Sequence, residues 1–469
     1  MSAAKSLGKI DIFWGYLAQA LNIGTGIILL PAILRYMPAD EVGLWFIFMT
    51  LSSLAQLLEL GFQPTLARNA AYVYSGAKKL TKYGLHIQNS NNCIDEILLC
   101  NLIAASKKIY KKIGIAIALT LYIGGSIYIT NISSAKSDID NILYAWVAFS
   151  SGTAINFYYG NFNGLLQGRG DVTKASKLIA ISRGILIIIG STAVISGYGL
   201  IGLGISSLIA AAFGRWAAHK YFYDKKTSEL LNQHKTDQVK INEITTVIWH
   251  NASRFGLVQL GAFLVVRGNI LVASSFLGLE ESASYGLTIT LLAALSSVSM
   301  VICQLQMPQM NVLQSQKKRD KLIALFGEIN IIGWTIYLIG FAILMMYGKE
   351  ILTQINSKTL LVEKELLATI GVIFLLELNH SISATYLTTK NTIPFLSSSI
   401  ISGASVLIAS IVFVKPFGLW GLALSQGIIQ ALYNNWKWPH LAAKSLDANI
   451  VEIIKEGSKE IAYKYLSKK

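Results

Sequence analysis

Charge is what this sequence has least of. Asp, Glu, Lys and Arg make up 14% of its 469 residues, where a soluble domain carries roughly 25%. A surface so short of charge excludes a soluble protein of this size. Cysteine is scarce as well. Cys93, Cys100 and Cys303 show no metal-ligand spacing, and the first two fall in one loop on the side that charge marks as cytoplasmic, which argues against a disulfide framework. The opening MSAAKSLGKIDIFWGYLAQALNIG starts basic but reaches Pro31 without a small-residue cleavage site, so it reads as a retained first span and not a signal peptide. Also missing are a nucleophile triad, a metal cluster and a phosphate-cradling glycine loop. Every outside loop is short, whereas a membrane glycan polymerase or ligase needs a sizeable one to hold its reactive residues. The chain is therefore expected to be no enzyme, with no catalytic and no metal residues.

What is present is apolar. Hydrophobic residues reach 53% and the mean hydropathy is +0.51. They are collected into blocks of the ~20 residues that cross a hydrocarbon core of about 30 Å. Twelve spans are predicted, near 11–34, 43–64, 113–131, 143–166, 178–196, 200–219, 250–275, 285–307, 322–347, 366–388, 395–414 and 418–438. Lipid offers no backbone hydrogen-bond partners, and runs without strict alternation mean helices. The fold class is an all-α polytopic membrane protein. Its expected parts are a six-helix bundle over 1–220, a cytoplasmic linker over 221–249, a second six-helix bundle over 250–440 and a cytoplasmic amphipathic tail over 441–469.

Lys plus Arg is 40 against 25 Asp plus Glu, a net charge of +15. In a membrane protein that surplus first marks cytoplasmic loops, so nucleic acid is not expected as a partner. With the N-terminus inside, thirty basic residues fall in inside segments, counting Lys437 at the inner end of the last span, and six outside: Arg35, Lys136, Lys349, Lys358, Lys364 and Lys415. Both termini are thus expected in the cytoplasm. The tail from Asp447 alternates Ile450, Ile453, Ile454, Ile461 and Tyr465 with lysines, which suits either a helix on the anionic inner leaflet or a solvated one.

The halves echo each other. YGLIGL at 198–203 returns as FGLWGL at 417–422, each between the last two spans of its half. Gly43 precedes Pro64 much as Gly286 precedes Pro308, and Gln167-Gly168-Arg169-Gly170 falls opposite Thr388-Thr389-Lys390-Asn391. Six spans per half make this a parallel repeat, a plan many transporters use for rocking between inward-open and outward-open states.

Charges inside the membrane cost roughly 2.5–3.5 kcal/mol each on insertion scales and usually have a task. Arg183, Arg215 and Arg254 lie within one to two turns of the cytoplasmic boundary. They either snorkel to the headgroups or form a basic vestibule for an anionic headgroup. Arg267 lies deeper, near the middle of span seven, where snorkelling is hard. Glu377 is the deepest carboxylate, with His380 three residues on and nearly on the same face. It reads either as a salt-bridge partner of Arg267 or as a protonatable coupling site; Glu59, near the end of span two, is a weaker coupling candidate. Polar amides (Gln19, Asn22, Asn156, Asn161, Asn163, Gln259, Asn269, Gln304 and Gln426) favour a hydrated cavity suited to sugar hydroxyls.

Residues 29–71, LLPAILRYMPADEVGLWFIFMTLSSLAQLLELGFQPTLARNAA, carry Pro-x-x-L-R, acidic-x-Gly-L-W and an acidic-L-G-F element. Together with NGLLQGRGDVTKASKLIAISRG (163–184), KNTIPF (390–395), FGLWGLALSQ (417–426) and NNWKWP (434–439), they resemble the polysaccharide-exporter branch of the MATE-like (MOP) superfamily, nearest to Wzx-type O-antigen flippases. The resemblance implies a multi-pass protein of a bacterial inner membrane. It would move undecaprenyl-diphosphate-linked oligosaccharide from the cytoplasmic to the periplasmic leaflet for lipopolysaccharide biosynthesis. It further implies a proton or sodium gradient as driving force, no cofactor, and membrane lipids, a polysaccharide polymerase and chain-length machinery as further partners. Arginine suits the cargo's diphosphate because its planar fork bonds two oxygens at once. Arg267, Arg254, Arg183 and Arg215 are then the candidate headgroup-binding residues, and Glu377, His380 and Glu59 the coupling residues. An ion-coupled exporter of drugs or small solutes on the same fold is the rival reading. It would want a carboxylate-rich cavity, and the deep charges include four arginines.

Overall fold

A computed structural model describes residues 9–59, 61–80, 94–134, 138–316, 318–390 and 394–463, and among them every regular element is helical. The chain divides into two compact units, Met1–Leu260 and Gly261–Lys469.

The first unit opens with α1 (Lys9–Tyr36), bent by 42° between Phe13–Asn22 and Gly24–Tyr36. Next come α2 (Ala39–Gln56), a tight turn at Leu57–Glu59 and α3 (Phe62–Tyr74). Then α4 (Glu96–Leu119) widens into a π segment, Thr120–Gly125, and continues as α5 (Ser126–Ser133). Four further helices follow: α6 (Ile139–Tyr158), α7 (Asn161–Gly168), α8 (Val172–Ile195) and α9 (Gly199–Phe222). A short α10 (Lys225–Gln233) leads into α11 (Gln238–Val266), which runs past the division. The second unit continues with α12 (Gly268–Phe276), α13 (Leu279–Ser315), α14 (Arg319–Gln354), α15 (Lys364–Thr388), α16 (Leu396–Leu432), α17 (Asn434–Ser445) and α18 (Ile450–Ile461).

Among the described residues, each of the twelve segments that hydropathy marks as spans is mostly helical. Among the described residues eight helical stretches are long and apolar enough to cross a membrane, and bent α1 makes nine. The difference from twelve has physical causes. Spans four and seven are interrupted, at Tyr159–Gly160 and at Arg267, and neither supplies a helix both long and apolar enough, whereas span two is counted across its turn at Leu57–Glu59. Spans eleven and twelve merge in α16, whose helical path is broken only at Gly418, φ 55° and ψ −136°.

That break is the structural counterpart of the repeated motif. Gly199, the equivalent of Gly418, also has a positive φ of 43°, a region open to glycine at little steric cost. The second glycines of the two motifs, Gly202 and Gly421, are buried where a side chain would collide with the preceding helix. Helix pairing repeats as well. In the first unit α1 packs on α8, α6 on α9 and α4 on α6; in the second, α12 packs on α16, α15 on α16 and α17, and α14 on α15. In span order these are the one–five, four–six and three–four contacts of each half.

Local chemistry explains the joints. Pro38 starts α2, whose first turn carries Asp40 and Glu41 against the helix dipole. The Glu41 carboxylate also accepts the Leu200 backbone N–H at 3.2 Å, at the open N-terminus of α9. A buried knot of Phe48, Trp146, Trp45 and Phe149, with edge-on contacts of 5.0 and 5.5 Å, fastens α2 to α6.

The tail helix α18 is amphipathic, and its small-residue face is docked on α14. Gly327 and Gly457 lie so close that a side chain on either would strike the other helix's backbone, and Ile453 is buried beside them. Arg319, at the start of α14, donates to the backbone carbonyl of Leu446 and so pins the turn before α18. Ile450 and Val451 stay exposed.

Candidate functional site

In the first unit three of the candidate charges, Arg215, Arg183 and Glu59, come near one another. Arg215, on α9, donates from Nε to Asn156 Oδ1 at 3.0 Å and from Nη1 to the Tyr159 carbonyl at 3.5 Å. That carbonyl is free to accept because α6 ends there, so the guanidinium partly replaces a lost helical bond. Arg183, on α8, donates to Asn22 Oδ1 of α1 at 2.8 Å. Glu59 sits at the turn between α2 and α3, where its Oε1 accepts the Tyr110 hydroxyl of α4 at 2.8 Å. Arg215 is within electrostatic reach of both Glu59 and Arg183. Among the described residues neither Arg183 nor Arg215 forms an ion pair; both are held by neutral amides.

Such a site keeps cationic character that can attract a fitting anion, with both guanidinium groups only partly buried. Asn161 adds an amide near it, donating to Ser106 at 3.3 Å. Arg254 belongs to the same unit in sequence, but its side chain lies outside the described residues, as do those of Gln19 and Gln259.

In the second unit the structure separates two residues that the sequence allowed to pair. Arg267 stands at the break between α11 and α12, half-buried, and makes no ion pair with Glu377 or with any other described residue. Glu377 is buried, 8% exposed, and its Oε1 accepts from Gln426 Nε2 at 2.8 Å. The Tyr285 and Tyr337 rings flank it closely enough to feel its charge. His380 turns away to Asn435, donating from Nδ1 to Oδ1 at 2.8 Å. The salt-bridge reading of Glu377 is therefore replaced by an amide-held carboxylate. The described residues contain no group of three or more His, Cys, Asp or Glu side chains fit to hold a metal.

The repeat relates the two clusters. With Gln167 opposite Thr388, Asn156 falls opposite Glu377 and Tyr159 opposite His380. In each half, then, the contact between the fourth and sixth spans carries a polar pair, the half-buried Arg215–Asn156 in one and the buried Gln426–Glu377 in the other.

Sequence reading does not single out Tyr110 or Arg169. Tyr110 looks like one more aromatic on a helix. Arg169 lies in a loop, yet its side chain is only 8% exposed. It pairs with Asp171 at 2.7 Å and Asp224 at 3.1 Å, donates to the Tyr221 and Phe222 carbonyls, and lies over the Phe222 ring at 5.3 Å. Partial burial disfavours the charge of Asp224. The Thr227 backbone N–H and hydroxyl, with Arg169 and Lys174 nearby, nevertheless hold its carboxyl below the usual carboxylate range.

No family model and no curated protein matches the chain. Solved structures do match it over nearly their whole length. An inward-facing multidrug resistance MATE family transporter of the MOP superfamily superposes with a TM-score of 0.69 at 14% identity, over 93% of this chain and 99% of that one. The outward-facing conformation of a multidrug resistance MATE family transporter gives 0.60 at 15% identity, over 94% and 96%. A MOP superfamily transporter from Pyrococcus furiosus Vc1, described as having a binding pocket of reverse polarity that suggests a different function, gives 0.59 at 16% identity, over 96% and 100%. The chain thus has the fold of MATE transporters of the MOP superfamily.

Proposed function

We propose that this protein is a lipid-linked oligosaccharide flippase, moving undecaprenyl-diphosphate-linked O-antigen units from the inner to the outer leaflet of a bacterial inner membrane by ion-coupled alternating access, with both termini in the cytoplasm. The observation that carries the reading is the pair Arg183 and Arg215, cations on membrane-spanning helices held by Asn22 and Asn156 and not by carboxylates. A diphosphate supplies the anionic oxygens these guanidinium groups lack. Amides such as Asn161 suit the sugar hydroxyls, and the polyprenyl tail stays in lipid. Arg267 and Arg254 are further candidates for the headgroup. Glu377, with Glu59 and His380 as alternatives, is the candidate for coupling to a proton or sodium gradient. A polysaccharide polymerase and chain-length machinery would act on the delivered units. No step calls for enzyme chemistry.

The fold shared with multidrug resistance MATE transporters, and the buried Glu377 as a counter-ion for a cation, support a second reading, an ion-coupled exporter of drugs or small solutes. One experiment separates them. Deletion of the gene followed by lipid analysis should show oligosaccharide-linked carrier accumulating on the cytoplasmic leaflet. Unchanged carrier lipids together with raised drug sensitivity would overturn the flippase reading in favour of the exporter.

A further inference from the structure

Two membrane helices of the first unit are interrupted, and one residue touches both interruptions. The second span leaves α-helix after Gln56 in the Leu57–Glu59 turn, and α3 starts after Gly61, whose φ is 72°. The fourth breaks at Tyr159–Gly160. Tyr110 of α4 lays its ring against Gly160, where a side-chain carbon would come within 2.6 Å, and its hydroxyl holds Glu59 at the other break. Beyond the breaks α3 and α7 are clamped together. Gly164 packs against the Gln63 carbonyl and Gly168 against Ala67 and Ala70, contacts too close to admit side chains. The far end of α7 is fixed through Arg169 to Asp224 and the end of α9. The second-unit equivalents of these two spans, α13 and α15, continue unbroken.

We propose that α3 and α7 move as one body about these paired breaks, and that Tyr110 is a positioning residue that transmits the charge state of the Glu59–Arg215 cluster to that motion. Packed helix pairs shift as bodies, and breaks of this kind absorb the backbone change. The mechanical link is specific. Arg215 bonds the Tyr159 carbonyl at one break, Glu59 is itself the other, and Tyr110 spans them. The charged and titratable groups facing Glu59 are Tyr110 from α4 and Arg215 from α9, with Arg183 of α8 beyond Arg215. An anion drawn to Arg215 competes with the Tyr159 carbonyl and offsets the field that Arg215 exerts at Glu59, so its arrival loosens both breaks. By the basic-loop rule the moving pair lies at the cytoplasmic end. The last step rests on the anionic-cargo reading; the hinge does not.

The test uses the full chain in nanodiscs, with Cys93, Cys100 and Cys303 replaced by alanine. Pulsed electron–electron distances are read between spin labels at Arg68→Cys on α3 and Lys111→Cys on α4, and within the pair at Arg68→Cys and Gln167→Cys. Tyr110→Phe keeps the ring on Gly160 and removes the hydroxyl; Glu59→Gln keeps an acceptor and removes the charge. Both should shift the α3–α4 distances to a shared second population and leave the α3–α7 distances unchanged. Unshifted α3–α4 distances in both variants, or α3–α7 distances that spread equally, would overturn the proposal. Undecaprenyl diphosphate added to the protein with native Tyr110 and Glu59 should produce the same shift. A shift with the variants but none with the lipid supports the hinge and counts against the cargo reading.

Discussion

Glu377 Oε1 accepts its hydrogen bond from Gln426 Nε2 at 2.8 Å, and Arg267 is not its partner. Exchanging the two charges, Arg267→Glu with Glu377→Arg, is therefore expected to leave the double variant as inactive as either single change. Surface polysaccharide, measured beside membrane insertion, checks this. Recovery in the double variant would show that the residues act as a pair after all.

Arg215 donates from Nε to an amide and from Nη1 to a carbonyl, using two of the five N–H groups that its planar guanidinium carries. Charge-assisted hydrogen bonds contribute about 1.5–3 kcal/mol. Arg215→Gln should thus weaken binding of a lipid diphosphate by roughly 10- to 100-fold, with Arg183→Gln having a similar effect. Lysine at 215 should restore only part, since it is a point charge and not a fork. Affinity of the detergent-solubilised protein for undecaprenyl diphosphate measures both.

Arg169 is almost fully enclosed, but the two carboxylates it pairs with are partly exposed, so removing it costs about 1.5–3 kcal/mol, the range for hydrogen bonds to a charged group. Arg169→Ala should lower the melting temperature and loosen α10. The pH dependence has a definite sign. Asp224 titrates below an ordinary aspartate when folded, so its stabilisation is present above the unfolded value, near ~3.9, and is lost as the pH falls through the lower folded value. The effect is small because the Asp224 side chain is 44% exposed. Melting curves between neutral pH and pH ~3 should show this loss in the native protein and a weaker one in Arg169→Ala.

Gly457→Leu places a side chain into the backbone of α14 at Gly327. Overpacking of this kind costs about 1–3 kcal/mol, enough to detach a single short helix. Trypsin cleavage at Lys455 and Lys459 should accelerate while the membrane helices stay intact. Unchanged cleavage would mean that the tail is held by something other than this contact.

Much of the helical plan is legible in the sequence because membrane burial demands long apolar blocks and little else. The repeated aromatic-Gly-Leu-x-Gly-Leu is legible for a similar reason: Gly199 and Gly418 need φ values that other residues resist. Helix breaks are harder to see. Leu57–Glu59 and Tyr159–Gly160 lie in apolar runs that hydropathy treats as continuous, and the π segment at Thr120–Gly125 is invisible to it. Of the candidate residues, Arg215, Arg183 and Glu59 stand out in sequence because any charge within an apolar span does, and depth adds only Arg267 and Glu377. Their partners did not stand out. Asn156 and Gln426 are two amides among many, and only three-dimensional packing shows that they occupy the fourth–sixth helix contact of each half. The Arg267–Glu377 pairing failed because opposite charge and shared depth say nothing about which way two helices face.

The seat of α18 on α14 has a consequence for biogenesis. The ribosome makes Gly327 well over a hundred residues before it makes Gly457, so the notch that receives the tail stands open through the synthesis of everything between. Its closure is among the last events of assembly, and a chain that stalls short of Ile450 would display a bare strip of helix backbone to any protease that surveys unfinished membrane proteins.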